Sequence, residues 1–121
     1  MATILLVDDD ADLTRVASRI LTAGGHQVQT GSSGREALEL LQVASYDLLV
    51  VDVVMPDKGG IELLMELHDR WPEQRTLIMS GKIPLEQDAI KALVEQYGAK
   101  GLLAKPFTGE ELLAAIDAAM A

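Results

Sequence analysis

Four consecutive apolar residues, Leu48-Leu49-Val50-Val51, run directly into an acid, Asp52. A run this short cannot span a bilayer as a helix, which takes roughly 20 apolar residues. As a strand it carries apolar side chains on both faces, so both faces must be covered, as in a parallel sheet flanked by helices. Thr3 to Val7 (TILLV) repeats the pattern and stops at Asp8-Asp9-Asp10. Thr76 to Met79 stops at Ser80, and Gly101 to Ala104 stops at Lys105-Pro106. His26 to Thr30 is a shorter and more polar candidate strand.

Helical periodicity fills the intervals. Leu13, Val16, Ala17, Ile20 and Leu21 form one stripe, with Asp10 as a cap and Gly24-Gly25 as the stop. Ser33-Gly34-Arg35-Glu36 reads as a capping box before Ala37, Leu40 and Leu41. Ile61 to Trp71 follows a turn containing Met55-Pro56 and Gly59-Gly60, and Leu85 to Tyr97 precedes Gly98. Thr108-Gly109-Glu110-Glu111 is a second capping box, opening a helix that runs to the C-terminus. Five strand–helix units predict an α/β fold, a doubly wound parallel sheet with right-handed crossovers and helices on both faces. Ligands of such sheets sit beyond the carboxyl ends of the strands.

With 121 residues and 49% hydrophobic content, the chain suits one domain with a real core, spanning residues 1–121 with no output domain after it. Aromatics are 3% of the residues, so Val, Leu, Ile, Ala and Met must fill that core. Absence of cysteine excludes disulfides, thiolate metal sites and cysteine nucleophiles. No basic stretch precedes a long apolar segment at the N-terminus, so a secretory signal is not expected. A cytoplasmic protein with no membrane contact is the expectation. Nineteen acidic against 10 basic residues give a net charge of -9, which repels phosphate backbones and argues against nucleic acid as a partner.

The residues just past each strand form a definite chemical set: Asp8 and Asp9, Asp52, Ser80 and Lys105. If the first, third, fourth and fifth strands are neighbours, all of these converge on one sheet edge. Clustered carboxylates repel one another and call for a cation. All-oxygen ligands suit Mg²⁺, which keeps several waters and shares its shell with phosphate oxygens. A carboxylate can also act as a nucleophile and form an aspartyl phosphate. Charge neutralisation by Mg²⁺ and lysine, with a serine hydroxyl on one phosphoryl oxygen, is what phosphoryl transfer requires.

Asp8-Asp9, Asp52 with Met55-Pro56, Ser80, and Lys105-Pro106-Phe107 together resemble the signature of response-regulator receiver domains of two-component signalling, over essentially the whole chain. That resemblance implies a flavodoxin-like (βα)5 sheet in strand order 2-1-3-4-5. It implies Asp52 as phosphoacceptor, Asp8, Asp9, Asp52 and the Val54 carbonyl around Mg²⁺, and Ser80 and Lys105 on the phosphoryl group. It further implies a phosphohistidine donor on a sensor histidine kinase or a histidine phosphotransfer protein. An unidentified downstream protein would read the surface around the fourth helix, fifth strand and fifth helix. Such a domain catalyses its own phosphorylation without being a turnover enzyme, and Lys105-Pro106 is a candidate cis peptide.

The sequence departs from the family pattern at Leu102, where receivers carry a Tyr or Phe, and in Gly81-Lys82-Ile83-Pro84, which lengthens the segment after Ser80. Val54 is placed to shield the phosphoryl group from water. Two other readings compete. Asp8-Asp9-Asp10 has the acid-x-acid spacing of haloacid-dehalogenase-type phosphatases, in which Asp8 would be the nucleophile, although Ser80-Gly81-Lys82 lacks their second acidic pair. A pseudo-receiver that binds partners without phosphorylation is the other. His26, His68, Tyr46 and Trp71 are read as structural residues.

Overall fold

Each residue of β3 (Leu48–Asp52) is buried, which places this strand at the centre of the molecule. The computed structural model describes residues 1–53, 59–81, 92 and 94–121. Around β3, the strands β1 (Thr3–Val7), β2 (Gln27–Gly31), β4 (Thr76–Ser80) and β5 (Leu102–Ala104) form one five-stranded sheet in the order β2-β1-β3-β4-β5. Every pairing is parallel: Val7 lies beside Gly31 and Val51, Asp52 beside Met79, and Ser80 beside Ala104. Parallel neighbours bring their carboxyl ends to the same edge.

The two-residue period of the strands divides the core into halves. Ile4, Leu6, Leu48, Val50, Leu77 and Met79 face α1 (Ala11–Ala23) and the C-terminal helix (Gly109–Met120), which contribute Ala17, Leu21, Leu112 and Ile116. Leu5, Val7, Leu49, Val51 and Ile78 face α2 (Gly34–Val43) and α3 (Gly60–Arg70), which contribute Ala37, Leu41, Leu63, Leu64 and Leu67. Each buried leucine stabilises the fold by about 1.5–3 kcal/mol relative to an exposed one. The doubly wound parallel sheet expected from the sequence is therefore present, in the 2-1-3-4-5 order.

Local chemistry explains the boundaries. The Asp10 side chain accepts from the Asp12 and Leu13 amides and starts α1. His26, expected in the second strand, donates its amide to the Leu21 carbonyl at 3.1 Å, so it belongs to the closing turn of α1 and β2 begins one residue later. Gly25, at φ 94, supplies the left-handed turn between them. Thr108 and Glu111 form a complete capping box. The Ser33 box is only half formed: Ser33 accepts from the Glu36 amide, but Glu36 accepts from Ser32, one residue before the cap. Most of the helix expected from Leu85 to Tyr97 lies outside the described residues. Its last turn, 94–97, is helical, and Gly98 follows at φ 64. Among the described residues, no helix is long and apolar enough to cross a membrane.

Candidate functional site

Strand termination builds the site. Asp8 follows the last residue of β1, Asp52 is the last residue of β3, Ser80 ends β4, and Lys105 follows β5. Because β1 and β4 both flank β3, and β5 flanks β4, the topology delivers all four to one edge of the sheet. The Lys105 amide donates to the Ser80 carbonyl at 2.8 Å, which ties the fifth strand's exit to the end of the fourth. The Lys105–Pro106 peptide is cis.

Asp8, Asp9 and Asp52 each present a carboxylate oxygen within 4.8 Å of the others. Asp8 and Asp52 are buried, whereas Asp9 is exposed. Asp8 is held at both oxygens: Oδ1 accepts the Asp10 amide at 2.9 Å and Oδ2 accepts the Lys105 ammonium at 2.5 Å. The same Lys105 Nζ donates to Asp52 Oδ2 at 2.8 Å, so the ammonium bridges two acids. Burial pulls the Lys105 pKa down. Hydrogen bonds to Asp52 and Asp8, together with their charges, outweigh that effect and hold it above the ordinary lysine value.

The donor set fits a hard divalent cation: three carboxylates, all oxygen, one of them exposed. Chemically, the site offers a carboxylate at the end of a rigid central strand, an ammonium already in contact with it, and a hydroxyl residue on the adjacent strand. Of the expected residues, Asp8, Asp9, Asp52, Ser80 and Lys105 are brought to this edge. Val54, Met55-Pro56 and Lys82 to Pro84 lie outside the described residues. Leu102 sits on edge strand β5 and is 38% exposed.

Asp10, read from the sequence as a cap, and Gly60, read as part of a turn, each add to the site in a way the sequence did not show. Asp10 enters the site through its backbone amide as well as capping α1. Gly60 packs so closely under β3 that a Cβ there would collide with the Asp52 carbonyl oxygen and the Val53 Cα. A Gly-Gly pair immediately ahead of a helical pattern was the available signal for Gly60.

A cavity of about 610 Å³ lies at the opposite end of the sheet, between Tyr46, Trp71, Arg75 and Met120. Several of its polar groups are already occupied: Gln74 donates to the Tyr46 and Arg75 carbonyls, Arg75 to the Met120 carbonyl, and Asp47 accepts from the Thr3 amide. His26 accepts the Ala2 amide, and His68 meets Tyr97 edge-on. None of these contacts belongs to the acidic cluster.

Comparison with known proteins agrees with this geometry. Residues 4–117 match the family described as the response regulator receiver domain. The transcriptional regulatory protein CpxR of Klebsiella pneumoniae is 42% identical over 118 residues, covering 98% of this chain and 49% of CpxR. The DNA-binding transcriptional regulator NtrC of Azospirillum brasilense is 34% identical over 119 residues, covering 98% of this chain and 24% of NtrC. Among solved structures, the chemotaxis response regulator CheY4 of Vibrio cholerae superposes with a TM-score of 0.88 at 30% identity, covering 98% of both chains.

The chain thus spans about half the length of CpxR and a quarter of that of NtrC. This corrects the exclusion of nucleic acid that was drawn from the acidic charge, since relatives matched over nearly the whole chain are regulators of transcription, one of them named as DNA-binding. Net charge constrains only the surface that carries it, and a receiver can be acidic while a DNA contact is made by another part of the same polypeptide. From strand order to acidic edge to sequence match, the chain belongs to the response regulator receiver domain family.

Proposed function

We propose that this chain is a phosphoacceptor that takes a phosphoryl group from a phosphohistidine onto Asp52, with Mg²⁺ held by Asp8, Asp9 and Asp52. The observation that carries this reading is the Lys105 bridge: an ammonium 2.8 Å from Asp52, on the edge where three carboxylates converge. Asp52 is fixed at the end of a fully buried strand, so its carboxylate is presented with little freedom to lose. An Asp52 oxygen attacks phosphorus as the P–N bond opens, giving an acyl phosphate and leaving the electron pair on the imidazole. Lys105 pairs with the arriving phosphoryl oxygens, and the Ser80 hydroxyl serves as a further donor. When bound, Mg²⁺ supplies charge neutralisation at the phosphoryl oxygens and relieves repulsion among the carboxylates.

In this role the chain is a signalling domain and not a turnover enzyme. Output runs through the surface formed by β5 and the C-terminal helix, where Leu102 is already partly exposed. Acetyl phosphate with Mg²⁺, followed by intact mass measurement, tests the chemistry. Wild type gains one phosphoryl group, and Asp52→Asn gains none. An adduct that survives in Asp52→Asn and maps to Asp8 supports phosphatase-type chemistry instead; no adduct in either protein leaves a binding module.

A further inference from the structure

Asp8 is held from two sides, and the Lys105 ammonium at its Oδ2 is one of them. Its Oδ1 is held by the amide of Asp10, two residues on, in an Asx-type turn. The backbone of residue 10, extended at φ -83 and ψ 102, joins that amide to the first turn of α1. Three hydrogen bonds hold that conformation. The Asp10 carbonyl accepts the Thr14 amide at 3.0 Å, and the Asp10 side chain accepts the Asp12 and Leu13 amides at 3.1 Å each. Leu13, in turn, packs against the core.

We infer that Asp10 is a positioning residue for the cation site: by capping α1 it fixes its own amide on Asp8 Oδ1, and so aims Asp8 Oδ2 at the cluster. The inference rests on the proposed metal-binding role of Asp8, Asp9 and Asp52. A cap with no further role would affect helix stability and leave the folded site unchanged. Hydrogen-bond partners of metal ligands commonly tune affinity by about tenfold or more. Here the partner is an amide whose direction depends on a side chain one step removed.

Asp10→Ala, Asp10→Ser and Asp10→Asn separate charge from capping. All three remove the same carboxylate, but serine and asparagine still cap a helix and alanine does not. Mg²⁺ affinity is measured by calorimetry well below the melting temperature of each variant. Asp10→Ala is expected to bind about tenfold more weakly than Asp10→Ser and Asp10→Asn. Equal affinities in all three overturn the inference.

A second readout uses metal-free protein: the ¹³C carboxyl resonance of Asp8 shifts in Asp10→Ala and stays near its wild-type position in Asp10→Ser. Absence of that difference overturns the inference whatever the metal does. Failure of wild type to bind Mg²⁺ falls on the proposed function, and the carboxyl resonance still decides the role of Asp10.

Discussion

Lys105 stands where repulsion between Asp8 and Asp52 would otherwise be greatest, with only 15% of its side chain exposed. Its raised pKa fixes the sign of its contribution. The ammonium is favoured in the folded state, so the stabilisation is complete below the ordinary lysine pKa and is lost as pH rises through the higher folded value. Measurements at neutral pH therefore read the full effect. Lys105→Met leaves two buried carboxylates without their shared counter-ion, which should destabilise metal-free protein by about 2–3 kcal/mol, allowing for solvent at the open edge. The same change removes a positive charge beside the cation site, so Mg²⁺ should bind several-fold tighter and restore more stability to the variant than to wild type. Urea unfolding with and without Mg²⁺ checks both. A variant as stable as wild type in the absence of metal would show that Lys105 is not the counter-ion.

At the scale of elements, the weak point is where α3 meets β3. Gly60 is buried, and a Cβ there would strike the backbone of Asp52 and Val53. Gly60→Ala must push α3 off the sheet or displace β3, at an expected cost of about 1–3 kcal/mol. Urea unfolding checks the stability, and a matching fall in acetyl phosphate labelling would show that the displacement reaches Asp52; an unchanged midpoint would sink the prediction. The sequence carried the elements well because length and period separate them: LLVV at 48–51 is strand-length and ends in two β-branched valines, and the stripe from Leu13 to Leu21 falls at helical spacing. It carried the grouping of Asp8, Asp52, Ser80 and Lys105 because four of the five strands end on or just before one of them. It did not carry the Lys105–Asp8 bond, the turn that links Asp8 to Asp10, or the intimacy of Gly60 with β3. Those depend on how side chains and backbones meet once neighbouring strands are in register, which no periodicity encodes. The Ser33 box failed for a related reason: an S-x-x-E pattern names both partners but not which amide the glutamate reaches.

At the scale of the whole molecule, the two halves of the core are joined through one sheet, and the carboxylates that converge on its edge come from β1 and β3, the strands at its centre. Bringing Asp8, Asp9 and Asp52 within 4.8 Å is a cost of folding that the unfolded chain does not bear, and it adds to the self-repulsion of a chain at net charge -9. A cation that binds this edge binds the folded state alone, so it stabilises the entire cooperative unit and not merely the loop that touches it. At ten times its dissociation constant, Mg²⁺ should add about 1.4 kcal/mol, raising the melting temperature by roughly 3–6 °C for a domain of this size. Screening of the general surface charge is a competing explanation, and NaCl at matched ionic strength isolates it. The expected result is a rise with Mg²⁺ that exceeds the NaCl control in wild type and shrinks to the level of that control in Asp9→Asn/Asp52→Asn. Equal shifts with the two salts in wild type would mean that the acidic edge is a diffuse charge and not a cation site.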